Sequence, residues 1–209
     1  MKIVSNHRKQ RFIQGFTLIE MIGVLAVIAI LASMLIPKIF EAINSARVNN
    51  AAVSYNAMKT AVMDHYGKYG SILVSNTIPF VVPSPASSNY DKVLLSEGLS
   101  DKLFTVKIGD GTANTVIRVI PMIAAATPTG ATANYDLDGD GVSDTGGTGN
   151  LVEAVITGVA IADAIELNNR LDGVALGDSN TANPDIRGRV MYANGGGGTV
   201  SVHIYIAHR

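Results

Sequence analysis

Residues 16–36 read FTLIEMIGVLAVIAILASMLI, an apolar run broken by one charge, Glu20. A bilayer core of ~30 Å takes about 20 such residues as a helix. The segment is therefore expected to span a membrane once. Ahead of it lie Lys2, Arg8, Lys9 and Arg11 with no acid. Such a basic leader keeps its end cytoplasmic, so the rest of the chain is expected outside the cytoplasm. A secretory signal fits poorly, because the run exceeds the usual ~7–15 residues and no A-x-A-like site follows.

Composition narrows the remainder. Only 16% of residues are charged and 47% are hydrophobic, which excludes a disordered chain. Taking the leader's bases from the chain's 16 Lys and Arg leaves 12 against 17 acids. No basic patch remains for nucleic acid. The chain has no Cys, which removes disulfides, thiolate zinc sites and a Cys nucleophile. No H-E-x-x-H, G-x-S-x-G or Walker-type pattern occurs, so an enzyme is not expected.

An ionisable group inside a membrane helix is costly and marks function by default. Glu20 sits in Gly15-Phe16-Thr17-Leu18-Ile19-Glu20, behind the basic leader and ahead of the apolar run, with Pro37 beyond it. This arrangement resembles the processing site of type IV prepilins and pseudopilins. The resemblance covers about residues 1–70. It implies cleavage after Gly15 by a membrane aspartyl prepilin peptidase, N-methylation of Phe16, retention of the apolar segment, and self-assembly on an inner-membrane platform. Cleavage frees an α-amine at Phe16. In a bundle of such helices, Glu20 of one subunit can meet the amine of its neighbour. A paired buried charge is tolerable where an unpaired one is strongly destabilising, so Glu20 is expected to set register and recruit subunits.

The helix is expected to continue over 16–66, kinked at Pro37 rather than ended there. Ile43, Ala51, Tyr55, Met58, Val62 and Tyr66 form a stripe at helical spacing. Glu41, Arg47, Asn49, Asn50, Lys59 and Asp64 read as its solvated face, and Gly67 and Gly70 as its stop. The expected layout is a leader at 1–15, a transmembrane half-helix at 16–36, an amphipathic half at 37–70 and a globular domain at 71–209.

Within that domain, 71–90 reads as a loop, and Asn89 as the cap of a helix from Tyr90 to Leu103. Phe104–Ile108 and Thr115–Ile120 read as strands, the second ended by Pro121 or placed at an edge. Ala124–Gly149 reads as an exposed, low-complexity loop. It contains Asp136, Asp138, Asp140 and Asp144 with Gly139 and Gly141, and the Val142 carbonyl falls at the seventh position of a calcium loop. Gly147 stands where a bidentate Glu belongs, so a partial Ca²⁺ loop is expected rather than a full EF-hand. A solvated acidic turn is the alternative. Asn150 and Glu153 suit a capping box for a helix from Leu151 to Leu171, stopped by Asp172-Gly173. Val155, Val159, Ala162 and Ile165 would then share one side, with Gly158 as a weak point. Arg187–Ala193 and Thr199–Ala207 read as a hairpin around a glycine-rich turn. Val200, Val202, Ile204 and Ile206 alternate with Ser201, His203 and Tyr205, which makes His203 a solvent-facing strand residue.

The expected fold is α+β, a long N-terminal hydrophobic helix packed on a small antiparallel sheet, with a second helix in the globular domain. The leading function is that of a structural subunit precursor for a type IV pilin-like filament. It would pass through the inner membrane once, then enter an extracellular pilus or a periplasmic pseudopilus. Many type IV pilins close a C-terminal loop with a disulfide, which this chain cannot do. Calcium in that role resembles the major pseudopilins of type II secretion, although 194 residues after cleavage is long for that class. A membrane-tethered, calcium-dependent binding module and a hydrolase built on the Asp run are rivals from other classes. The tethered module calls for a polar linker after residue 36.

Overall fold

A computed structural model describes residues 15–72, 89–110, 115–123, 134–176, 185–193 and 198–209. Its elements in chain order are α1 (Leu18–Tyr69), α2 (Tyr90–Ser96), β1 (Thr115–Pro121), β2 (Asn150–Ala160), α3 (Ile161–Leu171), β3 (Val190–Tyr192) and β4 (Thr199–His208). The chain divides into two compact units, Met1–Ala42 and Ile43–Arg209. The described part of the first unit is the opening of α1. Its apolar window is wholly unburied, and Leu18, Leu25, Leu31 and Met34 are all more than 60% exposed. Helix propensity is high for Leu, Ala and Met, but among the described residues of the first unit nothing covers the side chains of these Leu and Met residues.

The second unit is a four-stranded antiparallel sheet in the order β1-β2-β4-β3. β1 lies at an edge, and Pro121 is its last residue, where a missing N–H costs no ladder bond. One sheet face, with Ile117, Val119, Val152, Ala154, Val202 and Ile204, packs in a single cluster with Val48, Ala51, Tyr55, Met58 and Val62 of α1. α3 adds Ala164 and Leu167 to that cluster. Polar contacts hold α3 to α1, from Asn44 to Asp163 at 2.6 Å and from Ser45 to Glu166 at 3.0 Å. The alternate residues of β2 point to the other face. There Leu151 meets Tyr135 and Met191, with Ile120, Met122, Leu137 and Tyr205 around them.

Most of the α1 stripe is buried as the spacing predicts, with Tyr66 half-buried; Ile43 is instead 45% exposed. α1 runs through Pro37, as expected, and also through Gly67. Gly70, in the left-handed region at φ +68°, follows it, and its N–H donates to the Tyr66 carbonyl at 2.8 Å. α2 is shorter than expected. It ends at Ser96, because Gly98 takes φ +70° and turns the chain away. Asn89 precedes it without a side-chain cap. Phe104, Val106 and Ile108 are buried at alternate positions, yet the segment pairs with no strand among the described residues.

The largest correction concerns 151–171. Its first half is β2, the long central strand, and only Ile161–Leu171 is helical. Val152, Val155, Ile156, Thr157 and Val159 are β-branched, and such residues fit a pleated, buried surface better than a helix. Asn150 caps nothing. It exchanges both backbone bonds with Arg209, at 2.7 and 2.9 Å. Gly158 marks a shift of register between Ile156 and Val159. It takes φ +69°, and a Cβ there would lie 2.0 Å from the Asp110 carboxyl. Asp172-Gly173 does stop α3, with Gly173 at φ +81°. The hairpin pairs as expected, Val190 opposite Ile204 and Tyr192 opposite Val202. Its turn at 194–197, most of the 71–90 loop and residues 124–133 lie outside the described residues.

Candidate functional site

The N-terminal segment begins its helix with a device absent from the sequence reading. The Thr17 N–H and the Thr17 hydroxyl both donate to Glu20 Oε2, at 2.8 and 2.7 Å. The Glu20 N–H donates back to Thr17 Oγ1 at 3.4 Å. This is the reciprocal Thr-x-x-Glu capping box, and its spacing was legible in Thr17-Leu18-Ile19-Glu20. Two donors on the same chain thus meet the one carboxylate of the apolar segment. The carboxylate also lies at the positive end of the helix dipole. Gly15 and Phe16 precede this cap, and Phe16 is 80% exposed. Pro37 lies inside α1, where it offers no N–H to the preceding turn. Nearby, the Ser33 hydroxyl donates to the Ile30 carbonyl at 2.7 Å.

The acidic run is built differently from an exposed loop. Asn134, Tyr135, Asp136 and Thr145 are buried. Asp136 accepts from the N–H groups of Gly139 and Gly141 at 2.7 and 2.8 Å. Both glycines sit in the left-handed region, at φ +82° and +90°, as a chain wrapping this tightly around a carboxylate requires. The ring closes through Asp144 N–H to the Tyr135 carbonyl at 2.8 Å, and Leu137 N–H to Asp144 Oδ2 at 2.7 Å. Asp136 is tied to the segment before β3, with Gly188 N–H on its carbonyl at 2.6 Å.

Asp136, Asp138 and Asp144 each place a carboxylate oxygen within 4.8 Å of the others. Calcium holds oxygens at 2.3–2.6 Å, so ligands on opposite sides of one ion stand about 5 Å apart. Those three residues are spaced to share a cation. Asp140 is not among them. Its Oδ1 accepts from the Val142 N–H at 2.7 Å, and the Val142 side chain is 61% exposed.

Beneath this loop lies a buried polar cluster centred on Glu153 of β2. Arg118 Nε donates to Glu153 Oε1 at 2.5 Å, and the Tyr135 hydroxyl donates to Oε2 at 2.5 Å. His203 Nδ1 stands 3.4 Å from Oε1. His203 is therefore buried against an ion pair rather than solvent-facing, which corrects the expectation from its alternation. Burial works against the ionised Glu153 carboxyl, but His203, Arg118 and Tyr135 outweigh it and hold the group below its usual range. Burial, then the Glu153 charge, pushes the Tyr135 hydroxyl well above its usual range. One signal was available: a lone acid inside the apolar run Leu151–Ala160 needs a buried partner.

Residues 11–36 match the family described as the prokaryotic N-terminal methylation motif. Over 105 residues the chain is 30% identical to a type IV major pilin protein of Neisseria gonorrhoeae. The matched stretch is 50% of this chain and 48% of that protein, so the chain spans about half the length of the curated relative it matches. No solved structure matches the chain. The resemblance to the type IV pilin and pseudopilin family holds, and the arrangement of α1 on a small antiparallel sheet is pilin-like.

Proposed function

We propose that this type IV pilin-like precursor is cut between Gly15 and Phe16, methylated on the new amine, and assembled through α1 into a pilus. The observation that carries this reading is the exposed start of α1, a helix long and apolar enough to cross a membrane, opening on the Gly15-Phe16-Thr17…Glu20 segment. An apolar surface of this extent needs lipid, then copies of itself. Contacts between unlike patches that do not close into a ring give an open helical filament. The tethered-module reading calls for a polar linker after residue 36. α1 instead continues to Tyr69, which supports the filament. Similarity to a major pilin favours a pilus over a type II secretion pseudopilus. Glu20, released from Thr17, is the partner for the neighbour's amine, and Pro37 lies where the helix leaves the membrane.

The test is intact-mass analysis of sheared surface filaments. The expected mass begins at Phe16 with one methyl group; a mass retaining residues 1–15 overturns the processing step. Filaments recovered only from the periplasm redirect the reading to a pseudopilus.

The acidic loop is read as a Ca²⁺ site held by Asp136, Asp138 and Asp144, completed by the Val142 carbonyl. The supporting observation is their mutual spacing within 4.8 Å. Bound there, the ion would cancel the repulsion among these carboxylates and staple the loop, in a chain with no Cys to do so.

A further inference from the structure

Where the last turns of α1 meet the end of β4, Val62, Met63, Tyr66, Ile72 and Tyr205 line an open pocket of about 250 Å³. Its floor is apolar. Its rim carries Arg209, whose guanidinium stands 5.2 Å from the centre of the Tyr66 ring. No acidic side chain is among the described residues that line it. The pocket therefore suits an apolar group that carries negative charge beside it.

The same chain displays such a group. Among the described large exposed hydrophobics of the second unit, Val142 alone has exposed acids on both sides, Asp140 and Asp144. Hydrogen bonds within the loop hold the backbone around it. Asp136 fixes the N–H groups of Gly139 and Gly141, and Asp140 fixes that of Val142. A surface held in its bound form loses less entropy on docking. Asp140 lies outside the three-carboxylate group, so its charge is available to a partner.

We propose that this pocket receives the Val142 tip of a second copy, with Asp140 of that copy facing Arg209. The proposal rests on the filament reading above. The two patches are unlike, so each copy gives one and takes one, and the contact propagates without closing. Val142 fills part of the apolar floor, while the acid replaces solvent over the guanidinium.

The chain's lack of Cys makes cross-linking a clean test. Met63→Cys and Val142→Cys are introduced together in the full chain, and sheared filaments are oxidised with copper phenanthroline. A disulfide needs Cα atoms within about 7 Å. The expected result is a ladder of covalent oligomers from the double variant that is lost in either single variant and in detergent-dispersed subunits. Filaments of normal yield without a ladder overturn the contact and leave the filament reading standing. No filaments from the unaltered chain overturn both. Should the double variant fail to assemble, charge reversal decides. Arg209→Glu should lower filament yield, and adding Asp140→Arg should restore it; no loss with Arg209→Glu, or no rescue, overturns the pairing.

Discussion

The Tyr135 hydroxyl donates to Glu153 at 2.5 Å, joining the acidic loop to the central strand through a buried hydrogen bond. Tyr135 immediately precedes Asp136, the carboxylate around which the loop winds. The loop's position on the sheet thus depends on a contact outside the loop's own motif. Tyr135→Phe keeps the ring packed on Tyr205, 5.5 Å away, and removes only the donor. A buried acceptor left short of a donor costs about 1–3 kcal/mol. Denaturant unfolding of the full chain in detergent should show a loss in that range. Glu153→Gln should cost more, about 3 kcal/mol, because it leaves the Arg118 guanidinium without its anion.

Acid should find the same cluster. The folded-state pKa of Glu153 lies below its ordinary value. The stability it confers is therefore fully present above the unfolded-state pKa of about 4.3, and is lost as pH falls through the folded value. Asp91 has the opposite sign. Burial raises its pKa, so protonation relieves a cost as pH falls. The difference between the unaltered chain and Glu153→Gln isolates the Glu153 contribution. Thermal melts from pH 7 to pH 3 should show that difference flat down to about pH 5 and shrinking below. A difference that stays constant to pH 3 contradicts the assignment.

Gly158→Ala tests the bulge of β2. A non-glycine residue in the left-handed region costs about 1–2 kcal/mol. Here a Cβ also meets the Asp110 carboxyl at 2.0 Å. The single variant should lose more than the backbone penalty alone. Adding Asp110→Ala should recover the excess and leave about 1–2 kcal/mol. Because Asp110 is exposed, Asp110→Ala by itself should change stability by about 0.5 kcal/mol or less. Simple additivity of the two changes would show that the carboxyl is not the obstacle.

What could be read from the sequence depended on whether one face of each element meets water. α1 past Ile43 shows Ala51, Tyr55, Met58 and Val62 against exposed Arg47 and Asn49, so its period is visible. β4 likewise alternates Val200 and Val202 with exposed Ser201. β2 is covered on both faces. Its run from Leu151 to Ile156 is wholly buried and shows no period of two, which let Asn150 and Glu153 pass for a helix cap. The acidic loop was legible as spacing, from Asp136 to Asp144. That Tyr135 anchors it was not, because the partner lies 18 residues away in the chain. The capping box at Thr17 was legible, but the same residues also carry the processing motif.

Thr17 offers a test of that overlap. Thr17→Val keeps the N–H bond to Glu20 and removes both hydroxyl contacts. Loss of an N-cap side chain costs about 1 kcal/mol. Hydrogen exchange of the 18–21 amides in detergent should quicken about fivefold, since that is what 1 kcal/mol gives in an equilibrium. Thr17→Ser should exchange like the unaltered chain. Equal exchange in all three would mean the cap does not hold the helix start.

The proposed calcium site separates residues that the spacing alone treats alike. Asp138 belongs to the group within 4.8 Å, and Asp140 does not. The loop lacks a bidentate Glu, so the affinity expected is that of extracellular modules, about 10⁻⁴ to 10⁻³ M. Binding to the folded form only stabilises it by mass action, about 1–2 kcal/mol at roughly 5 mM calcium. For a chain of this size that is a rise of about 2–8 °C in melting temperature. The comparison is the full chain in detergent, with calcium and with chelator. Asp138→Ala should abolish the rise, and Asp140→Ala should keep most of it. A rise that Asp140→Ala abolishes and Asp138→Ala leaves intact would place the ion elsewhere in the loop. No rise in the unaltered chain would make Asp136, Asp138 and Asp144 a turn held by backbone N–H groups alone.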